Sequence, residues 1–209
     1  MYYACCAGIG YALGSISPSY ILSKIKKVDI RKSGTKNLGA SNTFMHFGRF
    51  WGIFVMLFDI LKAYFAVKLC QFLFHELPLA GLVSGTAAVL GHNYPFYLRF
   101  KGGKGLASFG GFVLALSPPM FLCLLTGCII ITFILNYGCV LALSAAALFP
   151  IIVGISYGSL PAFLIAAVSG ANVFLKHTQN LKRIKNGEET KFRTFISKYV
   201  LKLTKKNEQ

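Results

Sequence analysis

The stretch Gly91–Gly105, GHNYPFYLRFKGGKG, decides how the rest of the chain is arranged. It holds three cations and four glycines, and long apolar runs flank it on both sides. Charges and unpaired backbone groups are costly in hydrocarbon, so we expect a loop or helix end at a membrane surface. Glycines let a backbone approach a ligand closely, and amides beside lysines suit an anion. The stretch therefore predicts a site for a phosphorylated substrate at the lipid–water boundary.

The composition of the whole chain is that of a membrane protein. Of 209 residues, 55% are hydrophobic and only 13% are charged, whereas soluble domains carry about 25% charged residues. The chain is predicted to be an all-α, polytopic integral membrane helical bundle that forms a single domain over residues 1–209. Its apolar runs predict seven transmembrane helices at 2–22, 51–74, 79–96, 106–116, 120–135, 140–155 and 160–175.

Two of these runs are irregular. Gly14 and Pro18 interrupt the first, which predicts a kink near its end. The run at 106–116 is shorter than the roughly 17 to 25 residues of a full span. It is either a half-helix buried against its neighbours or part of a re-entrant element, and the second choice gives five full spans instead of seven.

The net charge of +16 is confined to particular segments. All cations except Arg49, Lys62 and Lys68 lie in the polar segments 23–42, 97–105 and 176–209. Such confinement favours the positive-inside pattern over nucleic-acid binding. It places all three segments in the cytoplasm, with the N-terminus outside and the C-terminus inside. The basic tail from Lys191 onward is interpreted as a contact with anionic lipid.

Several polar side chains are candidates for a site. The segment Arg31–Asn42 combines cations, hydroxyls, asparagines and glycines that suit phosphate or polyol oxygens, although a solvated loop is the alternative. His177, Asn180 and Arg183 recur every three residues on a helix leaving the membrane. Asp59 and Lys62 share one face of an apolar helix, and we interpret them as either functional groups or a structural ion pair. His92 could orient a substrate or act as an acid or base, but an interfacial histidine taken alone is more often a hydrogen-bonded structural residue.

Other classes of site are excluded by their missing patterns. The glycines do not follow the nucleotide-binding pattern GxxxxGK[ST], and the chain has no GxSxG nucleophile elbow. None of the four histidines has an aspartate five residues later, so the HxxxxD pattern of many acyl-CoA acyltransferases is absent. The six cysteines show no CxxC spacing, and we predict neither a metal site nor a cofactor.

Taken together, the three polar segments resemble the acyl-phosphate:glycerol-3-phosphate acyltransferases of the PlsY type. GTKNLGASN (34–42) resembles the family motif GSxNxGATN, and Gly91–Gly105 is very similar to GHxxPxxxxFKGGKG. The third segment follows HxxNxxRLxxGxExK through His177, Asn180, Arg183, Gly187, Glu189 and Lys191. Asp59 and Lys62 fit a further DxxK signature.

The resemblance implies a reaction and a location. An acyl group would pass from acyl-phosphate to the 1-hydroxyl of sn-glycerol 3-phosphate, giving lysophosphatidic acid and inorganic phosphate, the first step of bacterial phospholipid synthesis. The expected place is the bacterial inner membrane, with the site at the cytoplasmic face. The implied partners are the two substrates, the lipid bilayer and, transiently, the enzyme that supplies acyl-phosphate. No nucleic acid, cofactor or metal is implied.

The resemblance also implies roles for particular residues. The residues expected to act directly on glycerol 3-phosphate are Thr35, Lys104, His177 and Asn180. The residues expected to bind substrate are Lys36, Asn37, Gly39, Asn42, His92, Lys101, Gly102, Gly103 and Arg183, with Arg49 as a further candidate.

Some residues depart from the family pattern. Thr35 replaces the usual serine and keeps its hydroxyl. Met45 stands where the family usually has an arginine that would bind phosphate, and either His46 or Arg49 could compensate. A catalytically weakened paralogue is therefore one alternative. A membrane transporter of a phosphorylated metabolite is another, although the chain shows no internal repeat and its motif residues gather at one face.

Overall fold

The computed structural model describes residues 1–197, and every regular element within them is helical. The α-helices are α1 (Tyr2–Ser15), α2 (Pro18–Ile25), α3 (Ala40–Phe47), α4 (Arg49–Leu73), α5 (Ala80–Asn93), α6 (Leu106–Leu116), α7 (Pro118–Leu135), α8 (Cys139–Tyr157), α9 (Leu160–Lys176), α10 (Thr178–Lys185) and α11 (Phe192–Phe195). The predicted apolar runs correspond to α1 with α2 and to α4 through α9. The end of the basic segment predicted at 176–209 lies outside the described residues.

The first run is broken where the sequence predicts a kink. Ser17 caps α2 by accepting a hydrogen bond from Tyr20 N, and Pro18 takes the first helical position, where its missing N–H costs nothing. The break leaves carbonyls without helical partners. Tyr97 Oη donates to Ser15 O at 2.6 Å, and Lys62 Nζ donates to Ile16 O at 2.7 Å. The break is therefore tied to two other parts of the chain.

Glycines let the helices approach closely. A side chain on Gly14 of α1 would collide with the Ala88 carbonyl of α5, and one on Gly111 of α6 would collide with the Ile60 carbonyl of α4. Small residues at helix contacts are typical of membrane bundles, where close packing replaces the hydrophobic drive. They bring α1, α4 and α6 around α5, the helix that ends at the glycine-rich loop.

The bundle has an apolar interior and an apolar exterior. Phe109 and Phe112 of α6 meet Phe149 of α8 edge to face, with ring centroids 5.1 and 5.3 Å from that of Phe149. Large apolar side chains are also exposed on several helices, among them Phe65, Phe72, Ile134, Ile155 and Leu164. Lipid is the solvent that accommodates such an exterior.

Helix length varies across the bundle. By length and composition, the stretches of the described residues able to cross a membrane are Tyr2–Ile25, Pro118–Leu135 and Cys139–Tyr157, with a fourth if α9 and α10, bent by 45°, count as one. The short run after Gly105 is α6, which has 11 residues and buries Phe109, Phe112 and Val113. Its length fits the predicted short element.

Candidate active site

The three polar segments predicted to form a site converge in the structure. Ile30 and Leu38 of the first segment pack with Leu98 of the second in one buried cluster. Lys104 of the second segment donates a hydrogen bond from Nζ to Asn180 Oδ1 of the third, 76 residues away in sequence. The segments therefore share one region at the ends of α5, α9 and α10.

The glycine-rich loop folds back onto the end of α5. Gly102 N donates to Asn93 O at 3.1 Å, and Gly103 N donates to His92 O at 3.0 Å. A side chain on Gly102 would collide with the His92 carbonyl, and one on Gly103 would collide with the His92 ring. Gly105 has φ +86°, a left-handed conformation that favours glycine, and begins α6. Packing against α5 is therefore one reason for these glycines.

Unpaired amides follow the loop. The first helical bond of α6 runs from Phe109 N to Gly105 O. In the described part of the chain, the N–H groups of residues 104–108 have no backbone acceptor. Such a helix start carries partial positive charge and favours an anion.

Lys104 is the cation closest to the centre of the site. Its contact with Asn180 Oδ1 measures 2.5 Å, and Asn180 Nδ2 donates in turn to Glu189 Oε1 at 2.7 Å. Burial lowers the pKa of the Lys104 ammonium below its usual range, and Glu189 opposes that change. The amide of Asn180 is thus held between a cation and a carboxylate, which fixes its orientation.

His177 lies at the end of α9 in a defined protonation state. Burial lowers the pKa of its imidazole to about 4, although its hydrogen bond to the Val173 carbonyl acts in the opposite direction. His177 is therefore neutral at pH 7. Its Nδ1 lies 2.8 Å from Val173 O, and because a carbonyl only accepts, Nδ1 carries the proton. Nε2 is left as an acceptor.

Comparison with known proteins identifies the family. A family model described as glycerol-3-phosphate acyltransferase matches residues 4–187. The chain belongs to the glycerol-3-phosphate acyltransferase family. It is similar to "Glycerol-3-phosphate acyltransferase 1" of Oceanobacillus iheyensis, with 35% identity over 95% of this chain and 99% of that one. It is also similar to "Glycerol-3-phosphate acyltransferase" of Trichlorobacter lovleyi, with 38% identity over 88% of this chain and 94% of that one.

Solved structures agree with this membership. Crystal structures of PlsY (YgiH), described as an integral membrane glycerol 3-phosphate acyltransferase, share 29% sequence identity with the chain. The glycerol 3-phosphate form superposes with a TM-score of 0.83 over 92% of this chain and 96% of that one. The lysophosphatidic acid form gives 0.81 over 93% and 97%. The family member described here is therefore an integral membrane protein whose regular elements within residues 1–197 are helices, as its sequence predicts, and the count of seven spans stays a prediction.

The first segment of this family member is shaped by one buried side chain. Asn42 Oδ1 accepts from Thr35 N at 2.9 Å, and Asn42 Nδ2 donates to Ile30 O at 2.6 Å and Asn37 O at 3.0 Å. The hydroxyl Oγ1 of Thr35 is buried and has no hydrogen-bond partner among the described residues. Asn42 thus organises the loop, and the Thr35 hydroxyl is left without a protein partner in the described residues.

The other predicted substrate-binding residues lie in less defined surroundings. Lys36, Lys101 and Arg49 are exposed, and Arg183 is half-buried. Gly39 begins α3 and accepts from Thr43 N, and Asn37 contributes its carbonyl to the loop. Binding roles for these residues stay predictions.

The surroundings of Met45 bear on its departure from the family pattern. Met45 is 37% exposed on α3. The neighbouring His46 binds Ser33 Oγ through Nε2 at 2.6 Å and Asn42 O through Nδ1 at 2.9 Å. His46 is therefore already used to close the first segment. Arg49 is exposed at the start of α4 and forms no side-chain hydrogen bond within the described residues.

Sequence reasoning missed two residues that support the site. Asn93 O accepts from both Gly102 N and Lys176 Nζ, the latter at 2.9 Å. The ammonium of Lys176 also lies 3.9 Å from the centre of the Tyr94 ring. Both hydrogen bonds to Asn93 use its backbone carbonyl, so the residue type gave no signal, and its buried side-chain amide has no hydrogen-bond partner among the described residues. Lys176 gave no signal apart from its charge.

Proposed function

We propose that the chain transfers a fatty acyl group from acyl-phosphate to the 1-hydroxyl of sn-glycerol 3-phosphate, releasing lysophosphatidic acid and inorganic phosphate. The observation that carries the proposal is the contact of Lys104 with Asn180, which joins the glycine-rich loop to the third segment. The resemblance of both segments to the family motifs supports it. So do the names of the related crystal structures, a glycerol 3-phosphate form and a lysophosphatidic acid form.

The reaction requires the protein to position its two substrates and does not require a protein nucleophile. Acyl-phosphate is a mixed anhydride and already carries a good leaving group. The hydroxyl oxygen of glycerol 3-phosphate attacks the acyl carbon, the bond from that carbon to the phosphate oxygen breaks, and an oxygen of the departing phosphate takes the hydroxyl proton. The protein has to bring two anions together and aim one hydroxyl.

His177 suits the hydroxyl end of glycerol 3-phosphate. Its free Nε2 accepts a hydrogen bond from a substrate hydroxyl, and the Thr35 hydroxyl and Lys104 ammonium supply donors for the phosphate. A general base is most effective when its pKa lies near the working pH. With a pKa of about 4, His177 is a weak base. We therefore assign it to orienting the nucleophile, with the substrate phosphate as proton acceptor.

The acyl-phosphate is assigned to the glycine-rich loop. The N–H groups of Gly102 and Gly103 already donate to α5, so these glycines would contribute a close approach instead of amide donors. The unpaired amides at the start of α6, together with Lys101, would meet the phosphate. Apolar faces of the bundle would take the acyl chain.

The arrangement in the membrane follows from the charges. We assign the whole chain to one acyltransferase domain with seven spans, formed by α1 with α2 and by α4 to α9. The polar segments lie in the cytoplasm, which puts the N-terminus outside and the site at the inner face of the bacterial cell membrane. A transient contact with the enzyme that makes acyl-phosphate would suit this location.

The decisive test compares acyl donors. Purified protein in detergent is given glycerol 3-phosphate with either palmitoyl-phosphate or palmitoyl-CoA, and inorganic phosphate and lysophosphatidic acid are measured. We expect both products from palmitoyl-phosphate alone. Acceptance of palmitoyl-CoA without use of palmitoyl-phosphate would overturn the proposal. Counterflow of labelled glycerol 3-phosphate in liposomes, the signature of the alternative transporter, is expected to be absent.

A further inference from the structure

A buried cluster of charged side chains lies behind the glycine-rich loop. Asp59 and Lys62 on α4 and His92 on α5 are 2%, 6% and 7% exposed. The Lys62 ammonium lies 2.7 Å from Asp59 Oδ1 and 3.0 Å from His92 Nδ1. The same ammonium donates a hydrogen bond to Ile16 O at 2.7 Å.

Stability alone is a poor reason for such a cluster. Removing two charges from water costs as much as their attraction returns, and replacing a buried pair by apolar residues is often neutral. Charged groups within membrane helices are rare and mark functional positions. The question is what these three side chains do for the loop beside them.

The contacts fix the protonation of His92. A lysine ammonium has no lone pair and only donates. His92 Nδ1 also lies 3.3 Å from Asp59 Oδ1, but that oxygen has no hydrogen-bond partner among the described residues. The hydrogen bond of Nδ1 is the one with the Lys62 ammonium, so the geometry points to Nδ1 as the acceptor and places the proton of the neutral ring on Nε2. That nitrogen is the atom that a side chain placed on Gly103 would meet first. Within the described residues it forms no hydrogen bond to protein.

The same histidine holds the loop through its backbone. His92 O accepts from Gly103 N at 3.0 Å. His92 therefore contacts Gly103 through both its carbonyl and its imidazole. A shift of the His92 ring would disturb the position of Gly103 in the loop.

We propose that Asp59 and Lys62 are positioning residues for the acyl-phosphate site and act through His92. They hold its ring so that Nε2–H is presented beside Gly103 as a donor to the substrate phosphate. The role assigned to this donor rests on the proposed function, whereas the protonation state of His92 does not. In this proposal the Asp59–Lys62 pair does more than hold together α4, α5 and the break after α1, because it also orients His92.

The first test is spectroscopic and needs no substrate. In ¹⁵N-histidine spectra of the wild-type protein in detergent at pH 7.5, His92 is expected as the Nε2–H tautomer. His46 and His177 are internal controls because their Nδ1 atoms face carbonyl oxygens, at 2.9 and 2.8 Å, and they are expected as Nδ1–H. The His92 signal is assigned with His92→Gln. Finding His92 as Nδ1–H or as imidazolium would overturn the proposal.

The second test separates positioning from structural support. The double variant Asp59→Asn/Lys62→Met removes both charges together, so no unpaired charge stays buried. We expect it to unfold thermally close to wild type, lose the single His92 tautomer, and lose about 10-fold or more in kcat/KM for palmitoyl-phosphate. The KM for glycerol 3-phosphate should stay within about twofold. Lys68→Met, an exposed lysine on the same helix, is the matched control.

The outcomes are distinct. If the double variant keeps both the tautomer and the activity, the pair is structural and the proposal fails. If it does not fold, the wild-type spectrum still decides whether Lys62 donates to His92. If wild-type protein does not use palmitoyl-phosphate, the proposed function fails, and the spectrum alone then decides whether the pair orients His92.

Discussion

The candidate site is formed by two parts of the chain, here called walls, that are built differently. The loop wall consists of residues 91–105 with the ends of α9 and α10. Its main contacts, from Lys104 to Asn180 and from Lys176 to Asn93, join residues 76 and 83 positions apart. The asparagine wall consists of residues 30–47. Its hydrogen bonds from Asn42 to Thr35, Asn37 and Ile30 span only 5 to 12 positions.

The difference separates two ways of preorganising a site. The shape of the loop wall is set by the packing of the helix bundle. The positions of Lys104 and of the amides at the start of α6 therefore depend on contacts between helices that are distant in sequence. The asparagine wall is shaped mainly by one side chain within a short segment. Damage to the asparagine wall should therefore reduce the affinity for one substrate, whereas loss of the central cation of the loop wall should remove the chemistry.

Removing the central cation is expected to have the largest effect. Lys104→Ala deletes the ammonium next to Asn180 and should lower kcat/KM at least ~100-fold, the scale for loss of one electrostatic donor in an active site. Steady-state phosphate release measures it. Lys185→Ala is the control, because Lys185 is an exposed lysine on α10. Near-normal turnover of Lys104→Ala would remove this residue from the site.

Breaking the asparagine wall should have the next largest effect. Asn42→Ala removes three hydrogen bonds from a fully buried side chain and frees the Thr35 backbone. We expect the KM for glycerol 3-phosphate to rise by roughly 10- to 30-fold with a smaller change in kcat. Kinetics at saturating acyl-phosphate measure both. The exposed neighbour Ser41→Ala should change neither, and an equal loss in both variants would contradict the role of Asn42.

The two walls also differ in how far the sequence predicts them. The local motif around Asn42 could be recognised because the residues that shape it are neighbours in the chain. The helix bounds followed from the apolar runs, and the break near Pro18 followed from the residue itself. The link from Lys62 to His92 and the support from Lys176 could not be predicted, since such contacts depend on which helices pack together. The spacing of Asp59 and Lys62 showed that they share a helix face, but it did not show that they contact His92 behind the glycine-rich loop.

Removing the charge of Glu189, which contacts Asn180 in the loop wall, is expected to lower kcat/KM by an intermediate amount that depends on pH. Glu189→Gln keeps an oxygen for Asn180 Nδ2 but removes the negative charge that opposes the lowered pKa of Lys104. The pKa of Lys104 should fall further. Because the protonated amine is the form that binds the substrate phosphate, the alkaline decline of kcat/KM should move to lower pH, and the loss relative to wild type should grow as the pH rises through that decline.

The control for this prediction is the adjacent carboxylate. Glu188 is exposed, and Glu188→Gln should leave the pH profile unchanged. A profile that shifts equally in both variants would show that general charge, and not the contact with Asn180, sets the protonation of Lys104.

The smallest effect is expected from adding a cation to the asparagine wall. Met45 stands where the resembling family has arginine, and His46 cannot substitute freely because both its ring nitrogens are already engaged. Met45→Arg should lower the KM for glycerol 3-phosphate about threefold to tenfold without changing kcat, because a bidentate guanidinium would bind ground state and transition state alike. Met45→Gln, of similar length but uncharged, should have no effect. An unchanged KM in Met45→Arg would mean that an arginine at position 45 does not bind the phosphate of glycerol 3-phosphate. Either the exposed Arg49 or no cation of the asparagine wall would then bind that phosphate, and the KM of Arg49→Gln would decide between the two.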